Sequence, residues 1–193
     1  MKTRRDALVG LAGAGFGAAL GAPAALAQQS PRPRPFADND IVRAGHSFFG
    51  AVSRNLAELV QEAASRWGRP NAYILGQEAS GALIGGLRYG EGTMYTRNAG
   101  DRRIYWQGPS LGFDWGADGD RTMMLVYNLP AVEAIHQRFV GVDGSAYLVG
   151  GLGFTALTFA DMVVAPIRSG VGARLGVNVG YLKFTGRPTW NPF

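Results

Sequence analysis

The sequence contains no cysteine among its 193 residues. This absence excludes disulfide bonds, thiolate nucleophiles and thiolate metal sites. Histidine is scarce as well, since His46 and His136 are the only two. Glu133 and His136 form one Glu-x-x-His pair, whereas di-metal carboxylate bundles need two such pairs and further glutamates. We therefore expect no metal site and no cofactor, and we interpret Glu133 and His136 as part of a surface ion pair.

Clustered positive charge is also missing from most of the chain. The net charge is +5, and +2 of it comes from the first six residues. Nucleic-acid binding depends on clustered cations that neutralise phosphates, so we predict no nucleic-acid partner. The uncharged run Gly144–Ala160 contains four glycines and several aromatic or β-branched residues, which favour buried strands over a membrane helix. We predict no transmembrane span after residue 27.

The first 27 residues have the pattern of an export signal. A charged head, Met1–Asp6, precedes the apolar run Ala7–Leu20, and Ala25-Leu26-Ala27 supplies the small residues that a signal peptidase requires. We predict that residues 1–27 are a cleaved signal peptide and that the working protein is periplasmic. Arg4-Arg5 matches the twin-arginine motif only in part, so twin-arginine export and general secretion both stay open.

Two different segments follow the predicted leader. Residues 28–39 alternate proline with arginine, which predicts an extended, solvated spacer. The segment Asp40–Trp67 has apolar residues spaced by three and four, which predicts an amphipathic helix that residues 38–40 can cap and Gly68 can end. Its arginines are balanced by glutamates, so we expect it to pack on a core rather than on a membrane. The apolar stripe consists of Phe49, Val52, Leu56, Val60, Ala63 and Trp67.

From Ala72 onward, short β-prone runs alternate with glycine, asparagine and aspartate turns, which predicts a mainly β domain. Glycine is frequent in these runs, as the bends of a small, strongly coiled barrel require. Leu129–Phe139 interrupts the pattern as a short helix with Asn128 as its cap. Strands are predicted over Tyr73–Gln77, Ala82–Tyr89, Gly92–Arg97, Arg103–Gln107, Leu111–Trp115, Thr122–Tyr127, Ala146–Gly150, Phe154–Phe159, Met162–Ile167 and Arg174–Thr185.

Two patterns suggest hydrolytic chemistry. Residues 108–112 match the G-x-S-x-G nucleophile pattern, with Ser110 as the serine. That pattern requires a strand that turns into a helix, whereas a strand pattern follows Ser110, so we favour a coincidental glycine turn and keep a hydrolase as the alternative. Glu78 and Glu91 flank a predicted glycine hairpin. A pair of acids for sugar hydrolysis stays open there beside the commoner interpretation as solvated strand residues.

Exposed aromatic residues are the remaining candidates for a binding site. Tyr105-Trp106 follows Arg102-Arg103, and Trp115 lies in the next predicted strand. Tyrosine and tryptophan offer a flat apolar area with a polar tip, which suits contacts to glycans or lipid headgroups. In a small barrel, about half of such residues fill the interior instead. The candidate ligand-binding residues are Arg102, Arg103, Tyr105, Trp106 and Trp115, and no residue is assigned a catalytic role.

Several motifs are distinctive enough to compare with known families. They are Tyr89–Tyr95, Tyr105–Ser110, Gly116–Gly119, Met123–Asn128, Val142–Gly151, Ala165–Arg168 and Pro188–Phe193. Together they resemble an alphaproteobacterial domain family, the envelope integrity protein A family, over roughly Gly68–Phe193. The resemblance implies a periplasmic protein with a small SH3-like β-barrel and a role in keeping the envelope intact. It brings no established catalytic residues.

A weaker similarity runs from Gly81 to Phe139 towards SYLF lipid-binding domains. These domains also combine glycine-rich strands, a G-x-G turn like Gly90-Glu91-Gly92 and a short helix. The similarity implies binding of anionic phospholipids with the help of a basic amphipathic helix. The predicted helix Asp40–Trp67 is not basic overall, which sets it apart from that pattern.

These observations combine into one expectation. The chain is predicted to be mainly β, with a small SH3-like antiparallel β-barrel, an N-terminal amphipathic helix and one short inserted helix. The predicted organisation is a signal peptide over 1–27, a spacer over 28–39 and a single helix-plus-barrel domain over 40–193. We expect a non-enzymatic periplasmic protein that binds an envelope component, which is a glycan, a lipid or a protein. The alternatives are an anionic-lipid-binding domain and an envelope glycan or lipid hydrolase.

Overall fold

The helices lie at the N-terminal end of the described chain and the strands follow them, in the order that the sequence pattern predicts. The structure, a computed structural model, describes residues 30–50, 55–81, 86–109, 120–141, 146–149, 152–169, 180–191 and 193. In this part of the chain the elements are α1 (Asp38–Phe49), α2 (Leu56–Trp67), β1 (Ala72–Gly81), β2 (Leu87–Tyr95), β3 (Arg102–Pro109), β4 (Asp120–Tyr127), β5 (Arg138–Gly141), β6 (Tyr147–Val149), β7 (Leu152–Phe154), β8 (Leu157–Phe159), β9 (Met162–Ser169) and β10 (Tyr181–Thr185).

The strands form one antiparallel sheet that closes on itself. Its order is β4-β1-β2-β3-β10-β5-β8-β9, and a further pairing of β4 with β9 closes these eight strands into a barrel. The short strands β7 and β6 continue the sheet from β9 beyond the closure. The prediction of a mainly β, antiparallel barrel accompanied by helices is confirmed. The finer SH3-like topology stays a prediction.

The N-terminal helical region consists of two helices, and the prediction of a single helix over Asp40–Trp67 is wrong. Gly50 ends α1 because its φ of 65° lies in the left-handed region, which a right-handed helix cannot continue. The N-cap residue is Ala37, and no side chain caps the helix as residues 38–40 were expected to do. The apolar period runs on past Gly50, so it conceals the break. Among the described residues of the predicted stripe, the buried ones are Phe49, Leu56, Val60 and Ala63, and Val52 lies outside the description.

Two apolar cores lie on opposite sides of the same strands. The first fills the barrel interior, where Ile74, Trp106 and Phe139 are fully buried. The second lies between the helices and the outer face of β4, β7 and β9. Side chains alternate across a strand, so Met124 of β4 points into the barrel and Met123 points to the helices. A strand buried on both faces therefore needs the continuous apolar run that β4 shows.

The glycines of β2 do not form a turn. Gly90-Glu91-Gly92 was expected to separate two strands, but β2 runs through it from Leu87 to Tyr95 in register with both β1 and β3. A Cβ at Gly90 would collide with the indole ring of Trp106, which lies across the inner face of the strand. Gly90 therefore marks a close approach of a side chain to the backbone, whereas a Cβ at Gly92 would meet the backbone of β1 at Leu75 and Gly76.

The predicted helix over Leu129–Phe139 is mostly absent. Only Val132–Ile135 forms a short 3₁₀ turn, and Arg138 already begins β5. Asn128 adopts a φ of 57°, and its Nδ2 donates to the carbonyl oxygen of Asp161, 3.0 Å away, instead of capping a helix. The side chains of Val132 and Ile135 are buried and pack into the core inside the barrel.

The strands after β5 differ in their bounds from the prediction, and β9 is longer than predicted. Phe154–Phe159 is divided between β7 and β8, and the uncharged run Gly144–Ala160 contains β6, β7 and β8. No helix in the described part of the chain combines the length and the apolar character that crossing a membrane requires. Of the predicted strand Arg174–Thr185, the described part forms β10, and its first residues lie outside the description. The predicted strand Leu111–Trp115 and the predicted signal peptide lie outside it as well.

The described part of the predicted spacer is docked on the barrel and is not solvated throughout. The backbone N–H of Phe36 donates to the carbonyl oxygen of Pro70 over 2.8 Å, and Pro33 is buried. Asn98 bonds the segment twice, through Oδ1 to the backbone N–H of Arg34 at 2.7 Å and through Nδ2 to the carbonyl oxygen of Arg32 at 3.1 Å. Proline makes this segment extended, as expected, but side-chain hydrogen bonds tie it down.

Candidate functional site

A groove runs along the outer face of β1, β2 and β3, on the side of the barrel that the helices leave uncovered. The C-terminal segment, described over residues 187–191 and 193, forms its other wall through Pro188, Thr189 and Trp190. The groove has a volume of about 510 Å³. Its lining residues are Gln77, Glu78, Ala79, Tyr89, Gly90, Glu91, Tyr105, Trp106, Gln107, Pro188, Thr189 and Trp190.

Strand alternation selects the side chains that face this groove. In the register of β2 with β3, Tyr89 pairs with Gln107 and Glu91 pairs with Tyr105. Cross-strand partners in an antiparallel sheet share a face, so these four side chains form one continuous patch. The pair between them, Gly90 and Trp106, belongs to the inner face. The aromatic and polar character of the groove is therefore set by every second residue of two neighbouring strands.

The C-terminal segment is held beside the sheet by side chains from it. The hydroxyl of Tyr89 donates to the carbonyl oxygen of Trp190 over 3.1 Å, and the Tyr89 and Trp190 rings meet edge to face with centroids 5.4 Å apart. Lys183 on β10 donates to the carbonyl oxygens of Asn191 and Phe193, at 3.0 and 2.8 Å. Trp190 is nevertheless 85% exposed, so most of its ring is available to another molecule.

Gln107 is the polar side chain that the groove leaves unsatisfied. It is only 1% exposed, and its Nε2 has no hydrogen-bond partner among the residues that the structure describes. A buried polar atom without a partner costs about 1–3 kcal/mol, and native proteins rarely tolerate it without a reason. A ligand oxygen in the groove would supply the missing acceptor.

The floor of the groove is fixed from inside the barrel. The indole Nε1 of Trp106 donates to Oε2 of Glu78 over 2.8 Å, and both side chains are buried. Arg168 bonds the same carboxylate at 3.1 Å, and Arg88 lies 3.8 Å from it. Burial alone would raise the pKa of Glu78, but Arg168, Arg88 and the hydrogen bonds lower it overall. Glu78 is therefore an ionised anchor that orients Trp106.

One exposed ion pair lies at the rim of the groove. Arg103 approaches Oε1 of Glu91 to 2.9 Å, and its guanidinium lies 5.9 Å from the centre of the Tyr105 ring. Hydrogen bonding to Glu91 and Tyr105 raises the pKa of Arg103. The pair presents one cation and one anion beside an aromatic ring, which are groups that can bind hydroxyl-rich ligands.

The predicted binding residues do not all meet at this site. Tyr105 lines the groove, and Arg103 reaches its rim through Glu91. Arg102 instead pairs with Glu133 at 3.3 Å and lines a separate, smaller cavity of about 160 Å³. The expectation that Trp106 is an exposed binding residue is wrong, because its side chain is fully buried and supports the floor from within. Trp115 lies outside the described residues.

The hydrolytic alternatives gain little from the geometry. Glu78 points into the barrel between two arginines, whereas Glu91 lies on the outer face, so the two acids cannot flank one glycosidic bond. Ser110 lies outside the described residues. Glu133, at the surface, pairs with Arg102, and the described part of the chain contains no cluster of three potential metal ligands.

A second cavity adjoins the groove on the other side of the C-terminal segment. It has a volume of about 560 Å³, and Thr189 lines both cavities. Its cationic lining residues are Arg138, Lys183 and Arg187, with His136 beside them, and none of its described lining residues is acidic.

Sequence reasoning missed Tyr89, Gln107 and Trp190. The tail that carries Trp190 has two prolines and no period, so nothing local predicts that it packs against a strand. Tyr89 and Gln107 could have been found from alternation, since each lies two positions from a candidate outer-face residue, Glu91 or Tyr105. Finding them requires the correct pairing of β2 with β3. The predicted turn at Gly90–Gly92 divides β2 into two strands, so that pairing cannot be derived.

Comparisons with known proteins agree with this architecture. A crystal structure of a β-barrel-like, uncharacterised protein from Brucella abortus superposes with a TM-score of 0.78 and is 54% identical, covering 83% of this chain and 99% of that one. No curated protein matches the chain. The model of the EipA family, envelope integrity protein A, matches residues 34–193. The chain therefore belongs to the EipA family of envelope integrity proteins.

Proposed function

We propose that the protein supports the cell envelope from the periplasm as a non-enzymatic binding protein, and that the groove beside the C-terminal segment holds the envelope component. The family places the chain among envelope integrity proteins, and the predicted signal peptide favours export. Binding, rather than turnover, fits a site whose charged groups are already paired with each other.

The buried amide of Gln107 is the observation that carries this proposal. A donor that is hidden from solvent and lacks a partner is costly unless the working state of the protein provides one. It lies beside Tyr105, Tyr89 and the exposed Trp190, which together offer flat apolar surface around a polar centre. This combination is typical of small-molecule and saccharide sites.

Lipid-surface binding receives less support than groove binding. Membrane-surface helices need a free apolar face, but the apolar faces of α1 and α2 pack against β4, β7 and β9. The single arginine of α2, Arg66, also pairs with Glu62 at 2.6 Å. The SYLF-like alternative would therefore have to use another part of the molecule.

The test is complementation of a strain that lacks the gene, scored by entry of a normally excluded dye and by survival in detergent. We expect Gln107→Leu combined with Trp190→Ala to fail to restore the envelope, because the ligand loses its amide donor and a stacking surface. Leu148→Ala is the matched control, since Leu148 is 51% exposed on β6, away from the groove.

Immunoblots and thermal melts check that each variant is folded and present at the normal level. Full complementation by a folded groove variant would contradict the proposal. Ser110→Ala addresses the hydrolase alternative: loss of complementation together with loss of esterase turnover, in a folded protein, would favour an enzyme. Flotation of the protein with phosphatidylglycerol vesicles addresses the lipid alternative.

A further inference from the structure

The basic cavity beside the groove adds a second requirement for the ligand. Arg138 and Arg187 are exposed there, and neither has a carboxylate partner within the described part of the chain. Elsewhere on the surface, Arg43, Arg102 and Arg103 each pair with an acid. Arg32, Arg34 and Arg69 are exposed and also lack a carboxylate partner within the described chain, so what sets Arg138 and Arg187 apart is that both line one cavity next to the groove.

The position of the cavity connects it to the groove. Thr189 lines both cavities, so the C-terminal segment separates an aromatic compartment from a cationic one. The ammonium of Lys183 is occupied by two backbone carbonyls of that segment, which leaves the arginines to meet an incoming anion. Guanidinium groups bind the oxygens of carboxylates and phosphates through paired hydrogen bonds.

We infer that the groove and the basic cavity together bind a glycan that carries an oxyanion, with sugar rings on the aromatic surface and the carboxylate or phosphate at Arg138 and Arg187. This inference rests on the proposed function and names the ligand class for the same site. Sugar hydroxyls supply the acceptor that Gln107 lacks, and the Glu91–Arg103 pair can bind further hydroxyls at the rim.

A glycan fits these features better than a lipid or a peptide. The groove is open and aromatic on its walls, and its polar amide lies at the base, where a lipid chain would leave it unsatisfied. A peptide that extended the sheet would need a free strand edge, but β1, β2 and β3 are each paired on both sides. This surface can instead bind sugar rings with its aromatic side chains and an anion with its arginines.

Calorimetric titration of the purified protein tests the inference with four probes. They are tetra-N-acetylchitotetraose as a neutral glycan, muropeptides released from peptidoglycan by a muramidase, an N-acetylglucosamine disaccharide carrying one phosphate, and phosphatidylglycerol vesicles. We expect an anionic glycan to bind about tenfold or more tightly than the neutral one, with the advantage decreasing as salt rises. The tighter of the two anionic glycans identifies whether carboxylate or phosphate is the preferred group.

The double variant Arg138→Gln/Arg187→Gln should remove this tenfold advantage and leave the affinity for the neutral glycan unchanged. Arg43→Gln/Arg69→Gln changes the net charge equally at exposed sites that line neither cavity and should leave the advantage intact. Equal binding of neutral and anionic glycans by the wild type would overturn the inference, as would an equal loss in both double variants or binding to vesicles alone. The proposed function fails separately, when folded groove variants complement fully.

Discussion

The two halves of the barrel wall are covered in different ways. On one half, α1 and α2 bury the outer face of β4 and β9, and the apolar residues of these strands serve two cores. On the other half, the outer face of β2 and β3 carries tyrosine, glutamate, arginine and glutamine, and among the described residues only the C-terminal segment lies over it. One half of the wall is thus built for stability, and the other half is left available for contact.

The same contrast appears in two of the buried side chains that have an unsatisfied polar atom. The hydroxyl of Tyr127 lies under the helices and has no partner among the described residues, and burial raises its pKa. The Nε2 of Gln107 lies under the groove and is unsatisfied as well. A buried polar atom without a partner that is enclosed by protein is a cost of packing. A similar atom at the base of an open groove can form its hydrogen bond with a ligand. Because the helices cover Tyr127 and the groove lies over Gln107, only the Gln107 amide bears on function.

The largest expected effect concerns the interior of the open half, where Glu78 holds two arginines and Trp106. Glu78→Gln leaves Arg88 and Arg168 without a buried counter-charge, so we expect a loss of about 3–5 kcal/mol in the free energy of unfolding. Urea denaturation measures it. Glu91→Gln is the matched control, because it breaks an exposed pair on the next strand and should cost at most about 1 kcal/mol.

The pH dependence of this loss has a definite sign. The pKa of Glu78 is lower in the folded protein than its ordinary value of 4.5. Its stabilising contribution is therefore fully present above pH 4.5 and is lost as the pH falls through the folded pKa. The difference between wild type and Glu78→Gln should shrink in acid and stay constant between pH 6 and 8. An equal difference at pH 3 and pH 7 would contradict the ionised anchor.

The next effect concerns the helix-covered half. Leu59 is fully buried between α2 and the outer face of the sheet, so Leu59→Ala should cost about 2–5 kcal/mol through lost burial and a cavity. Val140→Ala removes a comparable aliphatic group from β5, where Val140 is 56% exposed, and surface changes of this kind stay within about 0.5 kcal/mol. Similar unfolding energies for the two variants would mean that the helices do not pack on the sheet.

The sequence predicted the class of fold because its signals are local. Apolar alternation and frequent turn residues identify the β domain, and the apolar period identifies the helical region. Gly50 and Gly90 were misjudged because glycine has several uses, and only the surroundings decide among them. Gly50 breaks a helix through its backbone conformation, whereas Gly90 sits inside a strand to admit Trp106.

The candidate site was harder to predict because its parts are far apart in the chain. Tyr105 could be chosen from composition, since exposed tyrosine suits binding. Trp106 was chosen for the same reason and is buried, because adjacent strand residues face opposite sides. Tyr89 and Trp190 are 101 positions apart and meet only through tertiary structure. No local pattern encodes that contact.

The smallest expected effect compares the two orphaned polar groups directly. Tyr127→Phe removes a buried hydroxyl that lacks a partner, so we expect the free energy of unfolding to stay unchanged or to rise by up to about 1 kcal/mol. Gln107→Leu should behave similarly in the free protein, because it also removes an unsatisfied group. The two variants should separate only in complementation, where Tyr127→Phe stays active and Gln107→Leu is impaired. If Gln107→Leu instead destabilises the free protein by more than about 2 kcal/mol, the Gln107 amide already has a structural partner. The open half of the barrel wall would then serve stability as the helix-covered half does.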